Sequence, residues 1–284
     1  MTLSVVIVTL NEEANLGRTL ESVAPLVRDL AGEIIVVDSG STDRTVEIAR
    51  SFGAKVFVEP WKGFAAQKNS AIEKAGGDWV LLLDADEAME TGLAEEISFV
   101  LTNADKETPA PTDADGTSRL AVAIAEGWAA YWIPRKNMFL GRWIRHGGYW
   151  PDRKIRLFRR GAGRVEDRAV HETVIVPGRV GRLRRPLVHH AYPTLSGYIE
   201  HMNRYSSLGA EMAGPRGFSF IDIFIRPRLT FFYNYFLRLG FLDGREGLLL
   251  HLYHSAYVSW KYAKAWERSR KTSTMKDTKV HEER

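Results

Sequence analysis

The sequence predicts an α/β fold built on a doubly wound parallel sheet. Aliphatic or β-branched runs alternate with helical patterns over the first hundred residues, and right-handed crossovers fold such a series into one parallel sheet. The run WVLLLD at 79–84 is almost wholly apolar, which is typical of a strand covered by helices on both faces. Beyond residue 118 the runs shorten, and the chain then turns into aromatic-rich helical patterns. We therefore expect a smaller extension of the sheet followed by helices.

The first part of the chain is expected to form the parallel sheet. Its strand patterns are β-branched or leucine-rich, and its helix patterns repeat apolar residues every three or four positions. We predict strands at 3–10, 33–39, 55–60 and 79–84, and helices at 12–29, 43–52, 63–75 and 91–101. Residues 102–118 are rich in Pro, Thr, Asp and Ala without periodicity, which predicts a flexible surface loop.

In the second part of the chain the predicted strands are shorter, and helical patterns follow them. We predict short mixed or antiparallel strands, built onto the edge of the sheet, at 127–134, 153–160, 171–178 and 179–190. Helical patterns follow at 194–214, 218–240 and 245–268. The last sixteen residues, 269–284, are charged, and we expect them to be a disordered tail.

Composition narrows the function classes. The 284 residues contain no cysteine, which excludes disulfides and thiolate metal sites and fits a reducing compartment. The chain has 39 basic and 35 acidic residues, with Arg and Lys concentrated in the second half, so we expect an anionic partner. No nucleic-acid motif accompanies that charge, and nucleic acid is therefore not the expected partner.

Two apolar segments lack the features of a secretory signal or of a membrane-spanning helix. The N-terminal run lacks a basic region before it and has acids directly behind it, so we interpret it as a first strand rather than a secretory signal. The apolar segment 218–242 contains Asp222, Arg226, Arg228 and Arg238, which argues against a spanning helix. A helix lying in the surface of an anionic membrane fits the same aromatic and basic pattern.

Polar side chains follow three of the predicted parallel strands. Thr9, Asn11 and Glu12 come after the first strand, Asp38 after the second, and an acidic cluster after the fourth. Open parallel sheets bind ligands at the carboxyl ends of their strands. Asn11 can also cap the next helix, whereas a carboxylate at a buried strand end, such as Asp38, needs a donor partner.

The acidic cluster DADE contains Asp84 and Asp86 with one residue between them. In an extended chain both side chains point the same way, about 6 to 7 Å apart. Such close carboxylates repel unless a cation lies nearby, and a hard-oxygen site suits Mg²⁺ or Mn²⁺. Neither GxGxxG nor GxxxxGK[ST] is present, which disfavours a dinucleotide dehydrogenase and a P-loop nucleotidase. A solvated turn is the alternative interpretation.

Three ordered motifs carry a family resemblance. VVIVTLNEEANLGRTLESV, EIIVVDSGSTDRTVEIA and GFAAQKNSAIEKAGGDWVLLLDADE resemble the nucleotide-binding half of inverting GT-A glycosyltransferases of family 2. IRHGGYWPDRKIRLFRRG, AVHETV and GFLDGREG resemble the branch that builds the lipopolysaccharide core. The resemblance implies a nucleotide-sugar half at 1–101, an acceptor-side half of the same domain at 119–192, and a helical, membrane-associated region at 193–268.

The resemblance also assigns roles at the strand ends. It implies that Thr9, Asn11 and Glu12 line the nucleoside pocket and that Asp38 bonds the uracil ring. Asp84 then approaches the ribose, and Asp86 ligates a Mg²⁺ or Mn²⁺ ion on the diphosphate. It places Lys68 at the basic position that helps to hold the donor; the residue alone is equally typical of a solvated helix face. Glu87 receives no role.

Inverting transfer also needs a carboxylate that takes a proton from the acceptor hydroxyl. The candidates are Glu166, Asp167 and Glu172. We favour Glu172, because it stands at the start of an apolar run, and His171 beside it could orient or share the proton. Asp167 is the rival, since it is the second acid of a Glu-Asp pair of the kind that the family often uses.

The segment RWIRHGGYWPDRKIRLFRR is aromatic and basic. Basic residues in such a segment commonly form the solvent-exposed face of an amphipathic strand pair. Its position before the candidate bases favours a role toward the acceptor or the diphosphate instead, with Arg156 as the candidate because it lies within an apolar strand.

The resemblance implies a metal-assisted inverting glycosyltransferase, and the resemblance alone implies that it is cytoplasmic and peripheral on the inner membrane. Its donor would be a UDP-sugar, and its acceptor a lipid-linked or core oligosaccharide of lipopolysaccharide or a related glycan. Two alternatives remain: a polyprenyl-phosphate glycosyltransferase and a non-catalytic module that binds nucleotide-sugars or lipid surfaces. A nucleotidyltransferase is disfavoured, because TLNEEANLGRT is not its glycine-rich loop.

Overall fold

The computed structural model describes residues 1–103, 127–166 and 173–282, with side chains up to residue 270. These residues divide into two compact units. The first unit contains residues 1–103, 127–136, 151–166 and 173–190, and the second contains residues 137–150 and 191–282. This division differs from the expected one, because residues 137–150 group with the C-terminal helices instead of with the sheet extension.

The first unit begins with four parallel strands in the order β3-β2-β1-β4. They are β1 (Leu3–Thr9), β2 (Glu33–Asp38), β3 (Lys55–Val58) and β4 (Trp79–Asp84). The helices around them are α1 (Leu16–Asp29), α2 (Thr45–Ser51), α3 (Phe64–Glu73) and α4 (Leu93–Asn103). The sheet order turns at β1, which lies between β2 and β4 and therefore marks the point where ligands bind in open α/β sheets.

A mixed extension continues the sheet beyond β4, as the sequence predicts. Strand β8 runs antiparallel to β4, and β6 runs antiparallel to β8. Among the described residues the sheet order then continues from β6 through β12 to β5. The added strands are β5 (Glu87–Met89), β6 (Ala130–Phe139), β7 (Arg142–Trp143), β8 (Asp152–Arg159), β9 (Arg164–Val165), β10 (Val174–Ile175), β11 (Val180–Arg182) and β12 (Leu187–Tyr192).

Both faces of β1, β2 and β4 are buried, whereas β3, at the edge of the sheet, is mostly exposed. In β1, the alternating side chains of Leu3, Val5 and Ile7 pack in one apolar cluster with residues of α1. Val6 belongs to the cluster on the other face, with residues of α3. This two-sided burial explains why the strand sequences are continuous apolar runs rather than alternating ones.

The second unit is mainly helical. It contains α5 (Leu195–Ala213), a π-helical turn (Ile221–Ile225), α6 (Arg226–Phe232), a second π-helical turn (Tyr233–Leu237), a short 3₁₀ turn (Gly240–Asp243) and α7 (Gly244–Glu282). Thr194 caps α5, its hydroxyl accepting from the Gly197 amide at 3.2 Å. Lys264 of α7 donates to Asn203 Oδ1 of α5 at 2.6 Å. The unit has its own core around Phe139, Tyr198 and Leu250.

Three expectations need correction. The predicted strand at 179–190 is two strands, β11 and β12, separated by a turn that contains Pro186. The short strand β5, which begins at the last acid of the cluster, Glu87, was not predicted. The tail expected to be disordered instead continues α7 to Glu282, because no glycine or proline interrupts residues 269–282.

Two predictions concern residues that are only partly described. The loop predicted at 102–118 lies outside the described residues from 104 onward. The strand predicted at 171–178 begins outside them, and its described part contains only the two residues of β10. No helix among the described residues is long and apolar enough to cross a membrane.

Candidate functional site

The carboxyl ends of the three central parallel strands bring the predicted polar residues together. Thr9 at the end of β1 lies in register with Asp38 at the end of β2. On the other side of β1, Val8 lies in register with Asp84 at the end of β4. The sheet order alone therefore sets two acidic strand ends on either side of β1, as expected from the alternation of strands and helices.

Asp38 organises the loop that follows β2. Its side chain is 1% exposed. Its Oδ1 accepts from the amides of Gly40 at 2.9 Å and Ser41 at 2.8 Å, and its Oδ2 accepts from the Thr9 hydroxyl at 3.0 Å and the Ser41 hydroxyl at 2.5 Å. A carboxylate has about four acceptor positions. Its acceptor capacity is thus taken up by its own loop and β1, and a bond to uracil remains a prediction.

The loop after β1 is held against the loop after β2. Asn11 has a φ of 54°, a left-handed conformation that asparagine tolerates better than most residues. Its amide donates to Ser41 Oγ at 2.8 Å, and its Oδ1 accepts from the Thr42 amide at 2.9 Å. The Glu12 amide donates to Thr45 Oγ1 at 2.8 Å. These hydrogen bonds fix the backbone of the loop after β1, and with it the position of Glu12.

The carboxylate of Glu12 is influenced by the acidic cluster. Burial raises the pKa of Glu12; a hydrogen bond from Asn15 lowers it, and the negative charges of Asp86, Asp43 and Asp84 raise it further, so that the net direction is upward. A repulsion of this kind is relieved when a cation approaches the carboxylates. Glu12 is therefore electrostatically part of the same site as the two aspartates.

Asp84 is held by two cations. Its Oδ1 lies 2.8 Å from Lys68 Nζ, and its Oδ2 contacts Arg156. Burial raises the pKa of Asp84, but the charges of Arg156 and Lys68 outweigh it and hold that pKa well below its usual range. Asp84 is consequently ionised at neutral pH, with its charge already balanced by protein groups.

Glu87, for which the sequence gives no role, is a buried partner of two arginines. Its side chain is 0% exposed, and its Oε1 lies 2.6 Å from Arg156 and 3.0 Å from Arg135. Its Oε2 accepts from the Asp84 amide at 3.1 Å, closing the turn between β4 and β5. Arg135 continues to Asp152 with Nε and a terminal nitrogen at 3.0 and 2.6 Å.

These groups form one alternating series, which we call the ion ladder. It consists of Lys68, Asp84, Arg156, Glu87, Arg135 and Asp152. Burial lowers the pKa of Arg135 and of Arg156, but the adjacent carboxylates outweigh it and raise both. The two arginines therefore remain charged at neutral pH, and the opposite charges of the ladder compensate one another as buried charges must.

Asp86 differs from Asp84 in its surroundings. It lies in the turn between β4 and β5 rather than in a strand, so the expected strand alternation does not fix its direction. Its Oδ2 faces His189 Nε2 at 3.3 Å, and its side chain is 22% exposed. Burial raises the pKa of Asp86, but the hydrogen bond and charge of His189 outweigh it and lower the pKa overall.

The residues around Asp86 fit a hard divalent cation only in part. Among the described residues no group of three or more His, Cys, Asp or Glu side chains could hold a metal by itself. Mg²⁺, however, commonly takes only one or two carboxylates and completes its shell with water and substrate phosphates. The exposed fraction of Asp86 and the excess negative charge felt by Glu12 fit this second type of site.

Of the candidate catalytic bases, Glu172 and its rival Asp167 lie outside the described residues, as does His171. Glu166, the third candidate, is described: it is half-buried, and its amide donates to the Thr173 carbonyl at 3.0 Å. Arg156 is placed, and its guanidinium contacts Asp84 and Glu87 rather than solvent. The predicted role of Arg156 toward the acceptor or the diphosphate therefore remains a prediction.

Sequence reasoning missed Arg135, Asp152, Glu87 and His189. Arg135 follows the apolar run YWIP. An arginine beside such a run indicates a buried ion pair, because buried arginines require carboxylate partners. Nothing in the sequence indicates that Arg135 meets Glu87, 48 residues away, because that pairing depends on the strand order.

Comparisons with known proteins agree with this arrangement. The profile of Glycosyl transferase family 2 matches residues 4–111. The lipopolysaccharide core biosynthesis glycosyltransferase LpsC of Rhizobium meliloti is 32% identical over 257 residues, covering 85% of this chain and 82% of LpsC. An uncharacterized glycosyltransferase of Rickettsia typhi is 44% identical over 101 residues, which are 36% of this chain and 33% of that protein.

Two solved structures are also similar. Staphylococcus aureus TarS, residues 1–349, in complex with UDP is 15% identical, covers 96% of this chain and 92% of that one, and has a TM-score of 0.46. Glucosyl-3-phosphoglycerate synthase of Mycobacterium tuberculosis, in complex with Mn²⁺, UDP-glucose and phosphoglyceric acid, is 34% identical over 30% of this chain and 33% of that one, with a TM-score of 0.27.

Proposed function

The chain belongs to glycosyltransferase family 2, and from that premise we propose that it transfers a sugar from a UDP-sugar to a hydroxyl of a lipopolysaccharide core or related glycan. It is a glycosyltransferase with a GT-A fold. The donor nucleotide, the inverting course and the metal are part of the proposal. So is the acceptor, which is suggested by the name of the relative LpsC.

One observation carries the proposal. The ion ladder balances Asp84, Glu87 and Asp152 with Lys68, Arg156 and Arg135. Two further carboxylates, Glu12 and Asp86, lie beside it, and Glu12 is repelled by the aspartates. The edge of the sheet thus carries more negative charge than the cations of the ion ladder compensate. This excess of negative charge favours binding of a divalent cation together with the diphosphate of the donor.

We propose that the donor binds at the carboxyl ends of the parallel strands. We assign the nucleoside to the loops after β1 and β2, which are joined by hydrogen bonds that involve Thr9, Asn11 and Asp38. Lys68 Nζ, 2.8 Å from Asp84, lies where it can contact the donor as well. Asp86 would hold Mg²⁺ or Mn²⁺, which when bound neutralises charge on the departing diphosphate.

The acceptor hydroxyl must lose its proton as the sugar carbon is attacked from the face opposite the diphosphate. We assign this to Glu172, with Asp167 as the alternative and His171 as its neighbour. Glu172→Gln should lower turnover by roughly three powers of ten or more while leaving donor binding nearly unchanged. Wild-type turnover in that variant would remove Glu172 from the mechanism and direct attention to Asp167.

The location is part of the same proposal. We place the enzyme in the cytoplasm, peripheral on the inner membrane, with a lipid-linked or core oligosaccharide as its acceptor. What supports this is the name of LpsC together with the aromatic and basic composition of residues 218–242.

The test is a donor screen. UDP-sugars and other nucleotide-sugars are supplied with Mn²⁺, with and without a core oligosaccharide, and the release of nucleoside diphosphate is measured. We expect release with a UDP-sugar that requires Mn²⁺ and rises with the acceptor. Asp86→Asn should abolish most of it, whereas Asp29→Asn, an exposed acid at the end of α1, should not.

The outcomes separate the parts of the proposal. Release from a different nucleotide-sugar would correct the donor but keep the transferase. Full release in the presence of a chelator would remove the metal. Absence of release from every donor under every acceptor condition would contradict the proposed reaction.

A further inference from the structure

The second unit exposes a large apolar surface. Most of the large apolar side chains that are exposed in the described residues lie between residues 212 and 252. We call the part between 218 and 242 the aromatic surface. Six of its side chains, Phe220, Ile221, Leu229, Phe232, Phe236 and Leu237, are each 47% to 65% exposed. Single exposed apolar side chains are normal on a protein surface, but a concentration of them in one segment marks an interaction site.

The segment that carries this surface is short and irregular. It runs through two π-helical turns, Ile221–Ile225 and Tyr233–Leu237, on either side of α6. π-helical turns frequently occur at functional sites. Because no described helix is long and apolar enough to cross a membrane, this apolar segment fits the interface of a bilayer better than its interior.

The charges around the aromatic surface are mainly positive. Five exposed arginines lie in and beside it: Arg216, Arg226, Arg228, Arg238 and Arg245. The acids in the same stretch are withdrawn from solvent or paired. Asp243 is 2% exposed, Asp222 is paired with Arg226 at 2.8 Å, and Glu246 with Arg142 at 3.6 Å. A surface that is both apolar and cationic complements anionic lipid head groups above a hydrocarbon layer.

An apolar groove opens in the same unit. Its volume is about 600 Å³, and its lining includes Ile223, Phe224, Phe231, Leu252 and Trp260, with Arg228 as its charged member. The Arg228 guanidinium lies 3.3 Å from the centre of the Phe224 ring. An apolar lining with one arginine suits a hydrocarbon chain that carries a phosphate at one end.

We propose that the aromatic surface docks the protein onto an anionic lipid bilayer. Its apolar side chains enter the outer part of the hydrocarbon layer, and the arginines bind lipid phosphates. The chain of one lipid lies in the groove beside Arg228. This inference rests on the membrane location proposed above and deepens it, by naming the surface that binds, the charge of the lipid and the place of one lipid chain; it does not depend on which donor or acceptor the enzyme uses.

Vesicle flotation tests the proposal without any sugar. The full chain is mixed with vesicles of phosphatidylcholine alone or with one-third phosphatidylglycerol, and the bound fraction is measured after centrifugation. We expect strong binding to the anionic vesicles at low salt and weak binding to the neutral ones. Leu229→Ser with Leu237→Ser should lower the partition coefficient by about tenfold or more, because two aliphatic side chains that enter the hydrocarbon layer are lost.

The arginines are tested in a second arm. Arg216→Gln with Arg245→Gln should lower partition onto anionic vesicles by about fivefold for each arginine, and should leave the weak binding to neutral vesicles unchanged. The matched controls are Val58→Ser, an apolar side chain of the first unit that is 60% exposed, and Arg50→Gln on α2. Both should bind vesicles like the wild type. Circular dichroism and thermal melting establish that each variant is folded.

Three results would overturn the proposal. One is equal flotation with neutral and anionic vesicles, and another is wild-type partition in the double leucine variant. The third is a wild type that ignores vesicles but forms a dimer in light scattering, with the leucine variant monomeric. That result would identify the aromatic surface as a contact between copies of the chain. Since none of these measurements uses a nucleotide-sugar, they stand apart from failure of the proposed reaction.

Discussion

The loops after β2 and β4 both carry carboxylates at the same edge of the sheet, but their environments are opposite. Asp38, after β2, is surrounded by neutral donors from amides and hydroxyls. Asp84 and Glu87, at and after the end of β4, are surrounded by the cations Lys68, Arg156 and Arg135. Asp86 has neither environment, because it faces a histidine.

The difference separates three uses of the same functional group. Neutral donors fix the shape of a loop, since each hydrogen bond is directional and keeps the backbone in place. Cations keep buried carboxylates ionised, since they replace the lost hydration energy. A partly exposed carboxylate that is not paired with a lysine or an arginine remains suited to an added cation. The side chains of Asp84 and Asp86 are similarly exposed, at 29% and 22%, so Asp86 differs from Asp84 in its partner, which is a histidine instead of a lysine and an arginine.

The strongest test of this contrast is to remove a cation from the ion ladder. Arg156→Met leaves one buried carboxylate charge in excess, and we expect the free energy of unfolding to fall by about 3 kcal/mol or more at pH 7. Urea denaturation measures it. Arg156→Lys should retain part of the stability, and the exposed Arg50→Gln should cost less than about 0.5 kcal/mol.

The pH dependence of that loss has a definite sign. The folded-state pKa of Asp84 lies well below its ordinary 3.8, so the stability from its ionisation is present above pH 3.8 and is lost as the pH falls through the lowered value. In Arg156→Met the pKa of Asp84 rises back toward its ordinary value, so the stability difference from the wild type should stay constant above pH 3.8 and shrink as the pH falls below it. A loss that is the same above and well below pH 3.8 would assign it to packing instead.

The second test compares Asp86 with the ladder. Asp86→Asn should lower kcat/KM by about a hundredfold, which is roughly 2.7 kcal/mol, and should leave the free energy of unfolding within about 0.5 kcal/mol of the wild type. Steady-state kinetics at several Mn²⁺ concentrations and urea denaturation measure the two quantities. A variant that loses as much stability as Arg156→Met would place Asp86 among the structural carboxylates.

The third test addresses the neutral environment of Asp38. In Asp38→Asn, the amide group replaces one acceptor oxygen, so the hydroxyls of Thr9 and Ser41 lose a charged acceptor. We expect a loss of about 1 to 2 kcal/mol in the free energy of unfolding. Thr9→Val, which removes a single donor, should cost less.

The donor affinity of the same variant decides the role of Asp38. Isothermal titration with UDP gives the dissociation constant for Asp38→Asn and for Thr9→Val. Weaker UDP binding in both, in proportion to their loss of stability, indicates that Asp38 acts through its loop. Weaker binding in Asp38→Asn alone supports the predicted contact with uracil.

The parallel half of the fold could be predicted from the sequence because local pattern determines it. Strands β1, β2 and β4 are buried on both faces, so their apolar runs are continuous, and parallel connection brings Thr9, Asp38 and Asp84 to one edge. The extension could not be derived in the same way. Its strands contain as few as two residues, and such lengths carry no periodicity.

The ion ladder was unpredictable for a related reason. Arg156 lies 72 residues from Asp84 in sequence, and they meet because β8 pairs with β4 in antiparallel register. A shift of that register by one residue would turn Arg156 to the other face of the sheet. Hydrophobic patterns identify strands, but they do not give the register between strands that are distant in sequence.

The smallest expected effect concerns Glu12, which is near the acids but outside the ion ladder. Its pKa is raised above 4.5, first by burial and then by the charges of Asp86, Asp43 and Asp84. Its ionised form is therefore less favourable in the folded protein than in the unfolded chain. This penalty is present above the raised pKa and disappears as the pH falls to 4.5 and below, where both states are protonated.

Glu12→Gln should thus be slightly more stable than the wild type at pH 7, by less than about 1 kcal/mol, because the bond from Asn15 can be kept while the repulsion is removed. The advantage should vanish near pH 4. Thermal melting across that pH range measures it, with Glu47→Gln, an exposed acid on α2, as the control. Added Mn²⁺ and UDP should reverse the order at pH 7, because a bound cation turns the repulsion at Glu12 into attraction. A variant that is less stable than the wild type at every pH would show that Glu12 acts by its hydrogen bond and not by its charge.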